Sequence, residues 1–216
     1  MTTTPIPEPA PVPPSSPAPN HHAHHPGFSG VPAYAFAVLF ALRRRDDGEL
    51  AVDLTATTSA DHVVDVGCGP GNAARTAART GARVTGVDPA KAMLQVARAL
   101  PSAGGPVTYL DGAAEALPLP DASATVLWSL ASVHHWPDVG GGLDEAHRVL
   151  RPGGRLLALE RRTTPGADGL ASHGWTDAQA AVFAEMCADH GFDDVTVAHH
   201  RRRDREVTTV VAHRRA

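Results

Sequence analysis

With 216 residues, the chain has room for one domain with a proper core and hardly for two. A formal charge of -4 gives no global pull toward nucleic acid or an anionic membrane. Two cysteines make neither a disulfide framework nor a metal-ligand spacing, and no apolar run reaches the roughly 18 residues that a bilayer span needs. The expected location is therefore a reducing cytoplasm, with no membrane span and no nucleic-acid partner.

Residues 1–28 read as a disordered tail outside the fold. Eight prolines between Pro5 and Pro19 favour extended, solvated chain, and the run His21-His22-Ala23-His24-His25 follows them. The tail has neither the basic start nor the apolar centre of a secretory signal. Its histidines find no partner ligand set elsewhere in the linear sequence, so no metal is expected.

The domain is expected over 29–216, as a helical cover at 29–60 and a core at 61–216. Residues 31–45 are apolar and then basic, which suits a helix packed on the domain with arginines at its C-terminal end. A second helix is expected at 48–57. Strands and helices then alternate, which implies right-handed crossovers and a parallel sheet. The expected strands are 63–66, 83–87, 107–110, 124–129 and 155–160, with helices beginning at Asn72, Pro89 and about Val139. The helix from Val139 is weakened by Gly140-Gly141-Gly142. Thr176-Asp177-Ala178-Gln179 has the form of a capping box, and Gly191 marks the end of the helix it opens. Strands at 195–199 and 207–212 lie too close together in sequence for anything but an antiparallel pair. The fold class is α/β: a Rossmann-like, doubly wound seven-stranded sheet, mostly parallel, with an antiparallel C-terminal hairpin and helices on both faces.

The most specific signal is Val63-Val64-Asp65-Val66-Gly67-Cys68-Gly69-Pro70-Gly71-Asn72, with Asp88 at the end of the next strand. A buried strand entering a glycine turn lets backbone approach a ligand closely, and an acidic side chain about 20 residues on suits ribose hydroxyls. A dinucleotide fingerprint needs a third glycine where Asn72 stands, whereas here the glycines alternate at Gly67, Gly69 and Gly71.

That spacing, with Asp65 ahead of it, resembles the first motif of class I S-adenosylmethionine (SAM) dependent methyltransferases, in particular the small-molecule enzymes of the type 11, UbiE-like group. The resemblance extends over about 63–212. It implies that Gly67, Gly69 and Gly71 line the methionine end of SAM with Asp65 near its amino group. Asp88 would bind the ribose hydroxyls, and Pro89 and Met93 would flank the adenine. Asp111-Gly112-Ala113-Ala114-Glu115-Ala116-Leu117-Pro118 resembles a family segment whose aspartate and following amide contact the adenine. In this chain the aspartate position is Ala113, which leaves the Ala114 amide, with Asp111 as a neighbouring carboxylate.

Ser129-Leu130-Ala131-Ser132-Val133-His134-His135-Trp136-Pro137-Asp138 falls at the carboxyl end of the fourth strand, where open α/β sheets face their ligands. By resemblance Ser129 and Leu130 lie near the sulfonium. His134 or His135, the latter first, could take a proton from the acceptor, the plain alternative being that His135 and Trp136 anchor the loop. Arg151-Pro152-Gly153-Gly154 matches a family turn before strand five.

The resemblance thus implies methyl transfer from SAM to an O, N or C nucleophile of a small, partly hydrophobic molecule, with S-adenosylhomocysteine as product. The acceptor pocket is expected under the helix around 34–42 and the loop at 130–142. The D/N-P-P-Y tetrapeptide of base-nitrogen methylation is absent. The run Arg201-Arg202-Arg203-Asp204-Arg205 reads as a solvated hairpin tip. Two other classes stand beside this one: a methyltransferase-like cofactor binder without catalysis, and a nicotinamide oxidoreductase, which Asn72 and the closing hairpin disfavour. High alanine, arginine and glycine usage fits a bacterial source of high genomic GC.

Overall fold

The computed structural model describes residues 18–22, 46–203 and 205–216. The expected helix at 31–45, and the cover it would form over 34–42, lie outside the described residues. Among the described residues the strands are β1 (His62–Val66), β2 (Arg83–Asp88), β3 (Val107–Asp111), β4 (Ala124–Leu130), β5 (Leu150–Arg161), β6 (Phe192–Arg201) and β7 (Glu206–Arg214). The helices are α1 (Asp46–Leu54), α2 (Asn72–Ala78), α3 (Lys91–Ala99), α4 (Val139–Val149) and α5 (Asp177–Asp189).

One sheet runs in the order β3-β2-β1-β4-β5-β7-β6. Pairings are parallel from β3 through β5, and β7 then inserts antiparallel between β5 and β6. The expected doubly wound sheet with its closing hairpin is the observed one. Successive side chains on a strand point to opposite faces, so strands covered on both sides read as continuous apolar runs. Val64, Leu127, Leu156, Ala158 and Val210 enter a core with Leu143 of α4 and Phe183 of α5. Their neighbours Val63, Val126, Trp128 and Leu157 enter a second core with Ala51 of α1 and Ala74 and Ala77 of α2. Among the described residues no helix is long and apolar enough to cross a membrane.

Three local departures from expectation have physical causes. Helix α3 begins at Lys91 rather than at Pro89, because the Asp88 carboxylate takes the Ala90 amide at 2.8 Å and holds 88–90 as a turn. Strand β5 already begins at Leu150: Leu150 pairs with Ala124 and Arg155 with Val126, so Arg151-Pro152-Gly153-Gly154 bulges out of a continuing ladder. Helix α4 is complete despite its glycines. Asp138 caps it by accepting from the Gly141 amide at 3.0 Å, and a Cβ on Gly142 would fall 2.5 Å from the Trp136 ring. That glycine lets Trp136 lie against the helix.

Candidate functional site

Strand β1 stands where the sheet order reverses, between β2 and β4, and the crevice outside its carboxyl end is where doubly wound sheets take ligands. There Gly67 and Cys68 both donate their amides to the Val87 carbonyl, at 2.8 and 3.1 Å, tying the turn to β2. Gly67, Gly69 and Gly71 have φ of 71°, 54° and 80°, a left-handed backbone that a Cβ disfavours. A Cβ on Gly67 would lie 1.9 Å from the Ser132 hydroxyl oxygen, and one on Gly71 would lie 2.2 Å from the Tyr109 hydroxyl oxygen. One on Gly69 would meet nothing within 4 Å. The turn is therefore packed at both ends and open in the middle, as a cradle for a ligand must be. A cavity of about 500 Å³ lined by His62, Arg83, Ser123 and Arg151 lies at the opposite, amino end of the strands, away from this crevice.

Asp65 and Asp88 flank the cradle. Asp65 is only 1% exposed, and its Oδ2 has no hydrogen bond. Burial pushes its pKa up to about 7; a hydrogen bond from the Ala74 backbone opposes the shift and the Asp88 charge adds to it. A buried carboxylate oxygen without a donor is costly, and a ligand that brings a donor or a cation relieves it. Asp88 accepts from the Gly69 amide on Oδ2 and the Ala90 amide on Oδ1, each at 2.8 Å. Burial raises its pKa too, against the pull of those two bonds. The Cys68 thiol between them is driven up by burial and is inert as a nucleophile. Arg75 braces the turn by donating to the Pro70 carbonyl at 2.8 Å.

Beyond Asp88, Pro89 is exposed and Met93 is buried in α3. Ala113 is half-buried and bridges to Ala116, and Ala114 is buried. Asp111 is exposed at the end of β3, in register with Asp88. This segment is clamped to α4: Glu145 accepts from the Leu117 amide at 2.7 Å, and Arg148 donates to the Leu117 and Leu119 carbonyls.

On the other side of the cradle, β4 delivers Ser129 and Leu130. Ser129 is fully buried with its hydroxyl unpaired, and Leu130 is half-buried. The chain then turns at Ala131, whose φ of 55° is unusual for a residue with a Cβ, into a 3-10 turn at Val133–His135. His134 is 3% exposed, and its Nδ1 is 2.8 Å from Oε2 of the fully buried Glu160 of β5. His135 lies beside it, with ring centroids 4.1 Å apart. Burial, with His134 and His173 nearby, pushes the His135 pKa down to about 4, so it is neutral across the physiological range.

Residues 18–22, which the sequence places in an unfolded tail, lie across this loop. Trp175 donates to the Pro19 carbonyl at 2.8 Å, Gln179 to the Ala18 carbonyl at 3.0 Å, and the His22 amide to the His134 carbonyl at 3.0 Å. Glu160, His173 and the His21–His22 pair are the site residues that sequence reasoning missed. Glu160 did carry a signal, as a carboxylate directly after the apolar run Leu156-Leu157-Ala158-Leu159.

Residues 64–158 match the family described as "Methyltransferase domain". Among curated proteins, the chain is similar to demethylmenaquinone methyltransferase of Tropheryma whipplei, with 38% identity over 110 residues, covering 51% of this chain and 46% of that protein. It is also similar to 27-O-demethylrifamycin SV methyltransferase of Amycolatopsis mediterranei, with 40% identity over 116 residues, covering 51% of this chain and 42% of that one. The matches thus span less than half the length of these relatives. Among solved structures, a SAM-dependent methyltransferase from Aquifex aeolicus shares the fold at a TM-score of 0.65 and 17% identity, over 83% of this chain and 97% of that one. The [4+2]-cyclase SpnF shares it at 0.64 and 18%, over 91% and 87%. The glycine cradle and the reversal point of the sheet both fall within residues 64–158, the segment that matches the methyltransferase-domain family.

Proposed function

We propose that the chain is a methyltransferase that moves the methyl group of SAM to a small-molecule acceptor by in-line displacement and releases S-adenosylhomocysteine. The observation that carries this reading is the buried, unpartnered Oδ2 of Asp65 beside a glycine turn that is open over Gly69. When bound, SAM supplies a sulfonium methyl that is already strongly electrophilic. The protein has to bind, orient and exclude water.

In this reading Asp65 takes the amino group of the methionine moiety, and the backbone of Gly67, Gly69 and Gly71 lies along it. Asp88, fixed by two amides, keeps lone pairs for the ribose hydroxyls. Pro89 flanks the adenine directly, and Met93 shapes that wall from within α3. The Ala114 amide faces the adenine edge, with Asp111 as the carboxylate that stands in for the one Ala113 lacks. Ser129 and Leu130 border the methyl.

His135 and His134 lie on the acceptor side. A neutral His135 can accept a hydrogen bond from a hydroxyl or amine nucleophile and orient it, while a pKa near 4 makes it a weak base. The relatives' names point to small organic acceptors, which supports a partly hydrophobic acceptor here. The proposed organisation remains a cover at 29–60 on a core at 61–216, in a cytoplasmic protein without a nucleic-acid partner.

Ala113 and the likeness to a [4+2]-cyclase favour one second reading, cofactor binding without methyl transfer. Incubation with SAM labelled in its methyl group, together with a panel of quinols, phenols and amines, separates the two. The first reading predicts label in an acceptor and none with Asp88→Ala. Saturable SAM binding without label in any acceptor supports the second.

A further inference from the structure

His134, His135 and His173 offer ring nitrogens that all lie within 4.8 Å of one another. They reach this position from two places: the first two from the 3-10 turn after β4, and His173 from the segment between β5 and α5. Three imidazoles around one carboxylate are an odd group to gather by packing alone. The environment of His134 explains the gathering better. Its Nδ1 is held at 2.8 Å by Glu160, a carboxylate with no exposure, while its Nε2 is buried without a hydrogen bond. A proton on Nδ1 donated to Glu160 leaves a lone pair on Nε2 that no hydrogen bond takes up. A carboxylate behind an imidazole is the usual outer support of a metal-ligating histidine, fixing its tautomer and raising its basicity.

We propose that His134, His135 and His173 bind a divalent transition-metal ion of the zinc class, with Glu160 as the outer support of His134. Imidazole suits zinc, copper and nickel, and three nitrogen ligands leave a fourth position for water or a ligand oxygen. A tetrahedral ion with bonds of about 2.0–2.1 Å sets its ligands about 3.3 Å apart, so modest ring rotations close the site. His135 and His173 are both half-buried. The His22 ring, 4.3 Å from that of His173 between centroids, roofs the cluster.

The ion would also sit next to the cofactor cradle. Ser132, two residues before His134, is the side chain that a Cβ on Gly67 would strike. An acceptor oxygen filling the fourth position would be held on the methyl side of the crevice. The metal site itself does not depend on methyl transfer, and it departs from the sequence-based expectation of no metal. That expectation came from linear spacing, and His173 is far from the other two along the chain.

The test uses the full chain, stripped with a chelator and titrated with cobalt(II) and then with zinc against a chromophoric competitor. One equivalent should bind, with the visible d–d bands of a tetrahedral cobalt site that zinc displaces. His173→Ala should abolish this binding while retaining the circular dichroism of the wild type. Glu160→Gln should weaken it by about 10–100-fold. His24→Ala/His25→Ala, which thins the N-terminal histidine run, should leave it unchanged. No binding by the wild type would overturn the proposal. So would wild-type affinity in His173→Ala, or loss of binding in His24→Ala/His25→Ala, either of which would put the ion on the histidine run instead.

Discussion

At the scale of single residues, Asp65 is the most exposed to test. Its carboxyl titrates near pH 7 because it is buried, and an incoming ammonium group favours the ionised form. Between pH 5.5 and 7, binding of S-adenosylhomocysteine must first remove a proton from Asp65. Affinity should therefore fall as pH falls, by up to about tenfold per unit. Asp65→Asn should bind weakly and lose most of that slope; an unchanged slope in the variant would place the titrating group elsewhere. The placement of Asp65 and Asp88 beside the glycine turn was legible in sequence because it follows from spacing around that turn. The placement of Asp111 beside Asp88 was not, since it depends on the parallel register of β2 and β3. The same holds for Glu160, whose partner His134 comes from a different strand end.

At the scale of elements, local chemistry decided how far sequence could be read. The capping box on α5 was visible as Thr176 and Gln179, and both of its reciprocal bonds form. Thr176→Ala should cost about 1 kcal/mol, a fall in Tm of about 2–4 °C for a protein of this size. Thermal unfolding followed by circular dichroism reads it directly. Gln179 also holds the Ala18 carbonyl and the His21 ring, so Gln179→Ala should cost more than Thr176→Ala; equal costs would argue that the 18–22 segment adds nothing. Helix α4 was hard to read because its glycines serve tertiary packing: Gly142 makes room for Trp136, a constraint that helix propensity does not contain. The bulge at Arg151–Gly154 was hidden for a similar reason, since whether a proline–glycine run ends a strand or bulges from it is settled by the partner strand.

At the scale of the whole molecule, the sheet order follows from alternation of strand and helix and from one short antiparallel connection. Seven strands, their directions and the position of the glycine turn were all legible. The histidine cluster was not. It assembles His134 and His135, His173, and the His21–His22 pair from three separated stretches, one of which looked like solvated tail. Composition marks proline-rich chain as unable to build a core, but it says nothing of whether a few of its residues find a surface to dock on.

In the proposed function, the turn at Gly67–Gly71 with Asp65 and Asp88 selects SAM over a dinucleotide. Calorimetric titration of the full chain with S-adenosylhomocysteine, and separately with NAD, tests it most directly. A saturable one-to-one isotherm with S-adenosylhomocysteine, lost in Asp88→Ala, and no heat of binding with NAD are expected. Saturable NAD binding, or none with S-adenosylhomocysteine, would contradict it.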